Sequence, residues 1–444
     1  MDRLNIIATL LTVLSTFTLL SQVEKVTINE KDGQWELKVE GAPYYVKGAG
    51  GTVQMDMLVA CGGNTVRTWG TENAQEILDE AHSKGVKVML GLWVQHERHG
   101  FDYNNKGAVE AQLERFRSDV RKYKNHPALL MWGIGNEYEL NYSNTKVWAA
   151  VNDIAKMIHE EDPNHPTSTV TAGTNAEKVK FVMDELTEID IYGINTYGDI
   201  GNVKGVLQKA NFEGPYMITE WGPTGHWECE KTKWSSSIEQ TSAQKCAVYQ
   251  ERYQSSIAAF PKQCIGSFAF LWGQKQEYTS TWYGLFTEDG RPTEIIDELQ
   301  YCWSGSYPEN RAPRIDSISV NDGMDWKNWV VSPSTKHQLQ LFASDANSDQ
   351  INYRWELYPE STDLKTGGDA EGKPPIITGK IKKGKSNAIT LKAPFQEGRY
   401  RLFVFVDDQE KVAYMNIPFY VQNDPDAKKR VQFKKQDLKS FDEE

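Results

Sequence analysis

Between residues 44 and 271 the chain repeats one pattern eight times: a short apolar run, then a polar stretch in which apolar residues return at helical spacing. The runs fall at residues 44–48, 65–69, 87–93, 129–134, 167–170, 189–194, 216–219 and 267–271. Near-continuous apolar strands separated by amphipathic helices predict a parallel sheet covered on both faces. Eight such units in roughly 250 residues suit a closed (β/α)8 TIM barrel, here placed at residues 44–305. An open doubly wound sheet is the alternative, and no Gly-rich phosphate loop supports it.

The pattern changes on either side. Alternating residues flank Asp32-Gly33, which predicts a β-hairpin within residues 22–43, placed to plug the bottom of the barrel. Pro308, Asn310 and Pro313 mark a linker at 306–313. Beyond it, short alternating strands separated by Asp, Asn and Gly turns predict an all-β sandwich of immunoglobulin or fibronectin type over 314–422. Residues 423–444 alternate blocks of charge with few apolar side chains and are expected to form a solvated, mobile tail.

The first residues suggest export. Arg3 precedes an apolar run from Asn5 to Leu20 that fits the h-region of a signal peptide, placed at 1–21, and is short for a membrane span. The expected location is therefore secreted, periplasmic or cell-surface, with no membrane span after signal removal. The five Cys are an odd number, so an exported chain keeps at least one free or intermolecular thiol, with Cys229 and Cys246 the plausible loop disulfide. A net charge of −12 argues against nucleic acid as a partner, because phosphate binding needs basic surface. Fourteen Trp and twenty Tyr offer flat faces suited to sugar rings, although many must serve the core.

Active sites of such barrels lie where the strands end. Two carboxylates stand there: Glu137, closing Trp132-Gly133-Ile134-Gly135-Asn136-Glu137, and Glu220, in Ile218-Thr219-Glu220-Trp221-Gly222. They are 83 positions apart (220 − 137), or about 28 per unit if three βα units intervene, which suits the fourth and seventh strands of a barrel. Cleaving a glycosidic bond with retention needs two such groups, one to protonate the leaving oxygen and one to attack the anomeric carbon. Arg67, Asn195, Tyr197 and Trp272 also sit at strand ends, and His96 and Glu97 follow the third strand. His96, Glu97 and His99 lack the spacing that puts two metal-binding His on one helix face, so a metal site is not expected. Glu139 and Glu277 are second-choice acids, read as solvated loop residues.

These motifs carry a resemblance. The Asn136-Glu137 and Glu220 segments look like the two catalytic signatures of clan A retaining glycoside hydrolases. Residues 44–305 most resemble the barrel domain of glycoside hydrolase family 2, and Asp162-Pro163-Asn164-His165-Pro166 resembles the segment before its fifth strand. The resemblance implies Glu137 as general acid/base and Glu220 as nucleophile, with Arg67 and Tyr197 stabilising its charge. It also implies Asn136 on the sugar 2-hydroxyl, Trp272 as floor of the −1 subsite and no metal or organic cofactor.

Family 2 barrels usually follow a large β-sandwich, whereas here a sandwich follows the barrel, an order also seen in some endo-β-1,3-glucanases. Trp221, His226, Trp227 and Trp234 on one loop, and Tyr278, Trp282 and Tyr283 on another, are expected to wall an aromatic cleft for several sugar units. His96 and Trp221 join the expected substrate contacts. The expected substrate is an oligo- or polysaccharide, a neutral β-glucan with β-1,3 linkage favoured. A transglycosylase on the same site and a non-catalytic carbohydrate-binding protein are the competing readings.

Overall fold

The computed structural model describes residues 25–321, 323–324 and 326–423. The expected signal peptide and nearly all of the expected charged tail lie outside these residues. Three short strands come first: β1 (Val26–Lys31), β2 (Gln34–Val39) and β3 (Ala42–Pro43), paired antiparallel in that order. Asp32 and Gly33 both have positive φ, 54° and 74°, the backbone that a two-residue turn needs to match the twist of its strands.

Eight parallel strands then close a barrel: β4 (Val46–Gly50), β5 (Thr65–Arg67), β6 (Lys87–Leu92), β7 (Leu129–Ile134), β8 (Thr167–Ala172), β9 (Ile191–Asn195), β10 (Tyr216–Trp221) and β11 (Cys264–Ala269), with β11 pairing back to β4. A helix follows each strand: α1 (Met55–Ala60), α2 (Ala74–Ser83), α3 (Lys106–Tyr123), α4 (Lys146–Glu161), α5 (Ala176–Glu185), α6 (Val203–Lys209), α7 (Ser242–Arg252) and α8 (Glu294–Ser304). The strand bounds move by a few residues from those expected, because pairing with a neighbour, not apolarity, decides where a strand stops. Helix α4 shows why the sequence folds this way. Val147, Val151, Ile154 and Ile158 repeat every three or four residues and all face the strands. Helix α3 starts where the Asn105 side chain accepts the Ala108 N–H at 3.1 Å, and α7 starts on a reciprocal Thr241–Gln244 cap.

The hairpin lies against the end of the barrel where strands begin. Val26 N donates to Asn164 O and Trp35 N to Lys262 O, just before β8 and β11. Val26 and Leu37 pack with Val46, Met89, Met131, Val170 and Phe268 of the barrel strands. The opposite mouth is thereby left for chemistry.

Two antiparallel-rich sheets follow the barrel. Strands β12 (Arg314–Val320), β13 (Trp329–Val331), β14 (Lys336–Ser344), β15 (Asn352–Pro359), β16 (Ile381–Lys382), β17 (Ala388–Lys392), β18 (Gly398–Asp407) and β19 (Val412–Val421) form sheets of order β12-β14-β17-β16 and β13-β19-β18-β15. Trp329, Leu341, Trp355, Leu391, Val404 and Phe419 are among the residues that fill the space between them. The fold is thus a TIM barrel followed by a β-sandwich.

The sandwich is docked on the barrel by a buried ionic network. Lys245 Nζ, with no exposed side-chain surface, reaches Glu239 at 2.7 Å, the carbonyls of Thr281 and Trp282, and Tyr414 OH. Glu239 also accepts from Asn416 Nδ2, and Arg401 joins Glu360 to the Ser237 carbonyl. All five cysteines are free thiols, so the expected Cys229–Cys246 disulfide is absent. Cys246 faces the core from α7 beside Glu294 and Glu298, and burial holds its thiol well above the usual range. Among the described residues no helix is long and apolar enough to cross a membrane.

Candidate active site

At the mouth of the barrel, Glu220 on β10 is almost completely buried and receives three donors. Arg67 Nη1 lies 3.1 Å and Trp69 Nε1 2.9 Å from Oε1, and Tyr197 OH lies 3.1 Å from Oε2. Three converging donors suit an anion, which can only accept. Burial, then the charge of Glu220, holds the Tyr197 phenol well above its ordinary range, so it stays protonated and donates. Arg67 is itself fixed by the Thr219 carbonyl at 2.8 Å and by Asn136 Oδ1 at 2.7 Å.

Glu137 has the opposite surroundings. Among the described residues its one side-chain hydrogen bond is from Asn195 Nδ2, 2.9 Å from Oε1. Burial, then the negative Glu220, pushes its carboxyl up to about 7. The turn that presents it departs from regular strand geometry. Gly135 has φ 72°, and a Cβ there would lie 2.6 Å from the Tyr138 ring. Glu137 itself has φ 49°, a left-handed conformation that a side chain adopts at a cost of order 1–3 kcal/mol and that concentrates at functional sites. Its N–H is held by the Val170 carbonyl at 3.0 Å.

Asn136 and Asn195 couple the two carboxylates. Asn136 Oδ1 accepts from both Arg67 and Asn195 (2.7 and 3.0 Å), which leaves its Nδ2 to donate elsewhere. Asn195 Oδ1 accepts from Thr219 Oγ1 at 2.9 Å. The Asp162 and His165 of the resemblance are structural. Asp162 Oδ2 accepts from Trp132 Nε1 and contacts His165 Nδ1, both at 2.8 Å, under the strand that delivers Glu137.

The structure thus brings together Arg67, Asn136, Glu137, Tyr197 and Glu220. It corrects other expectations. Trp272 is fully buried, its Nε1 donating to Val53 O at 2.7 Å and its ring packed on Phe286 and Trp303, so it cannot floor a sugar subsite. Trp221 is also fully buried, against Tyr249 and Tyr253 of α7 and the turn after it. His96 is 1% exposed, stacked between Trp93 and His99 with Nδ1 accepting from Arg98 Nε; burial, then the positive Arg98, lowers its pKa to about 4. It is neutral packing, not an open sugar contact. Trp234 packs on the sandwich at Tyr420.

Of the expected aromatic wall, Trp227 is the ring left open, 52% exposed and edge-on to Tyr197 at 5.8 Å. Glu139 and Glu277 are buried instead of solvated. Glu139 holds the Ala172 N–H and Lys178. Glu277 pairs with Lys275 at 2.7 Å, and burial raises its pKa.

Two site residues were missed. Trp69, two positions beyond Arg67, touches Glu220 directly; that spacing on the second strand was the available signal. Phe270 packs edge-on to Trp69, Tyr197 and Tyr283, beside two of the donors that hold Glu220.

Comparison with known proteins places this mouth in a family. The family model "Glycosyl hydrolases family 2, TIM barrel domain" matches residues 64–306, more than half the chain. The chain belongs to glycosyl hydrolase family 2. An exo-beta-D-glucosaminidase of Arthroderma benhamiae is 25% identical over 142 residues, 27% of this chain and 16% of that protein. A beta-galactosidase of Actinobacillus pleuropneumoniae is 20% identical over 215 residues, 48% of this chain and 18% of that protein. A solved Faecalibacterium prausnitzii beta-glucuronidase shares the fold at 19% identity and a TM-score of 0.50, covering 63% of this chain and 52% of that one. The chain therefore spans less than a fifth of either of these two curated relatives and about half of that structure.

Proposed function

We propose that the protein is a retaining β-glycosidase that hydrolyses β-glycosides by double displacement, with Glu220 as nucleophile and Glu137 as general acid/base. The observation that carries this is the contrast between the two carboxylates: Glu220 with three donors, Glu137 with one and its carboxyl pushed up to about 7. Two acids whose surroundings drive them apart divide the roles of attacking anion and proton donor.

In the first step Glu220 attacks the anomeric carbon while Glu137 gives its proton to the leaving oxygen. The carboxylate becomes a neutral ester, so the charge that helped hold the proton on Glu137 disappears. Glu137 then acts as base on the water that breaks the ester. Asn136 Nδ2, with its oxygen already engaged by Arg67 and Asn195, is free to donate to the sugar 2-hydroxyl. Trp227, exposed beside Tyr197, offers a ring to the substrate.

The narrower reading is a neutral β-glucan, β-1,3-linked, acted on outside the cytoplasm. Neutrality is supported by the cations near the mouth: Arg67, Arg98 and Lys275 each pair with a carboxylate, Glu220, Asp369 and Glu277. The linkage and the location rest on the sequence alone. Hydrolysis of a panel of aryl β-glycosides and β-glucans, with the anomer of the first product read by proton NMR, tests the proposal. Release of the β-anomer supports it; an α-anomer, or no turnover of any β-glycoside, contradicts it.

A further inference from the structure

The turn that carries Glu137 runs alongside β8 after β7 has ended. Regular pairing of the two strands stops at Ile134 and Thr169. Beyond that point three successive residues keep hold of β8, each by a different group. The Glu137 N–H donates to the Val170 carbonyl at 3.0 Å. The Tyr138 hydroxyl lies 3.2 Å from Thr169 Oγ1. The Glu139 carboxylate, almost completely buried, accepts the Ala172 N–H at 2.7 Å. Along a strand, the carbonyl of one residue and the N–H two residues on point to the same side. Val170 and Ala172 therefore offer this turn an acceptor and then a donor. Glu139 Oε1 takes the place of the backbone carbonyl that a longer β7 would bring to Ala172.

A side-chain acceptor is needed there because Glu137 has φ 49°, outside strand geometry, so the backbone ladder cannot continue through it. Lys178, in the first turn of α5, donates to the same Glu139 oxygen at 2.8 Å and also to the Ala172 carbonyl. The next residue of β8 completes the link. Gly173 donates its N–H to the Asn195 carbonyl at 2.7 Å, and Asn195 Nδ2 is the group that meets Glu137 Oε1. Glu137 and its hydrogen-bond partner are thus tied to one short piece of backbone, Glu137 through Glu139 to Ala172 and Asn195 to Gly173.

The same carboxylate also acts through its charge. Burial comes first in pushing the Glu137 carboxyl up to about 7, the negative Glu220 comes second, and Glu139 adds to them against Asn195 and the cation Arg67. The ionisable groups bearing on Glu137 are therefore Glu220 from β10, Glu139 from its own turn, Arg67 from β5 and the Tyr197 phenol after β9.

We infer that Glu139 is a positioning residue for the general acid: its carboxylate, held by Lys178, keeps the turn at residues 137–140 in register with β8, so that Glu137 stays aimed at the leaving oxygen. Glu139 acts through Glu137 and not on the sugar. The inference rests on the glycosidase reading above and adds a residue to the acid half of the site.

The test separates help to the leaving group from general damage. A panel of 4-nitrophenyl β-glycosides first identifies the sugar that the wild type cleaves. That sugar is then offered as its 2,4-dinitrophenyl glycoside, whose leaving group departs without a proton, and as its phenyl glycoside, whose leaving group needs one. Glu139→Ala is expected to lower kcat/KM for the phenyl glycoside by about a hundredfold and for the dinitrophenyl glycoside by less than about threefold, since a misplaced acid costs only the reaction that uses it. Glu139→Gln keeps an oxygen that can accept the Ala172 N–H, and is expected to bring the ratio of the two rates back to within about threefold of the wild type. It is also expected to shift the alkaline limb of kcat/KM to lower pH, because a negative charge beside Glu137 is gone. Should Glu139→Ala fail to fold, Glu139→Asp, a methylene too short for Ala172, is expected to raise the dinitrophenyl-to-phenyl ratio by about tenfold.

An equal change with both glycosides in the folded Ala or Asp variant overturns the inference and leaves the glycosidase reading intact. So does a Glu139→Gln variant as deficient toward the phenyl glycoside as Glu139→Ala. No turnover of any panel member by the wild type overturns the glycosidase reading, and the inference with it.

Discussion

Replacing Glu137 by Gln tests the electrostatics of the site apart from catalysis. Gln has the shape of the protonated acid and cannot ionise. In the folded chain Glu137 titrates at about 7, against an ordinary value of 4.5. Its folded value is raised, so its contribution to stability is fully present below 4.5 and is lost as pH rises through 7. At about 1.4 kcal/mol per pH unit the loss amounts to about 3 kcal/mol. Glu137→Gln escapes that loss. The two proteins should therefore match near pH 4.5, diverge up to pH 7, and hold a constant gap above it, with the variant the more stable. For a chain of 444 residues, unfolding entropy of about 2 cal/mol/K per residue turns 3 kcal/mol into a Tm gap of about 3 °C. Scanning calorimetry of both proteins from about pH 4.5 to about pH 8.5 reads it directly. A gap that stays flat across this range, or a variant less stable than wild type at about pH 8, refutes the reasoning.

Further outcomes follow from the same geometry. The alkaline limb of kcat/KM on an aryl β-glycoside should have its midpoint near 7, where Glu137 loses its proton; a rate that stays level to about pH 9 would count against Glu137 as the acid. Trp69→Phe removes one donor from Glu220 and should lower kcat/KM by about 10- to 100-fold, the equivalent of about 1.5–3 kcal/mol for a hydrogen bond to a charged group, as steady-state kinetics would show. Lys245→Met leaves the fully buried Glu239 without its cation and should cost about 3–5 kcal/mol of stability in calorimetry, whereas Lys245→Met/Glu239→Leu should recover much of it.

Much of this molecule is legible in its sequence because parallel barrels write themselves plainly: strands buried on both faces are continuous apolar runs, and the helices between them keep their period. The two carboxylates are legible for a related reason, since a charged side chain at the end of such a run sits where barrel sites are built. Which aromatic ring faces the sugar is not legible. Trp221 stands beside Glu220 in sequence and Trp272 just past the eighth barrel strand, yet Trp221 turns to helix α7 and Trp272 packs on Trp303 of α8. That choice depends on the path of each loop after its strand. Trp69 was hidden by the same uncertainty, in reverse.

The cysteine arithmetic failed because spacing along the chain says nothing of distance in space: Cys229 lies in the β10 loop and Cys246 points inward from α7. The connection between β15 and β16, whose Asp369, Gly368 and Glu371 meet Arg98, Lys275 and Tyr278 of the barrel loops, was the least legible feature. A polar, Gly-containing segment between two sandwich strands reads as a surface turn, and only the docking of the sandwich by buried residues such as Lys245 and Arg401 carries it to the barrel mouth. The same docking explains why Glu277 is buried, since Gly368 and Glu371 lie over its loop.

The central claim is that Glu220 attacks the sugar and Glu137 delivers the proton. The most direct measurement incubates the protein with a 2-deoxy-2-fluoro-β-glycoside carrying a good leaving group, which slows breakdown of a covalent intermediate, and then locates the label by peptide mass spectrometry. The expected result is one sugar per chain, attached to Glu220, with loss of activity in step with labelling. A label on Glu137, or full labelling of a Glu220→Gln variant, would contradict the account.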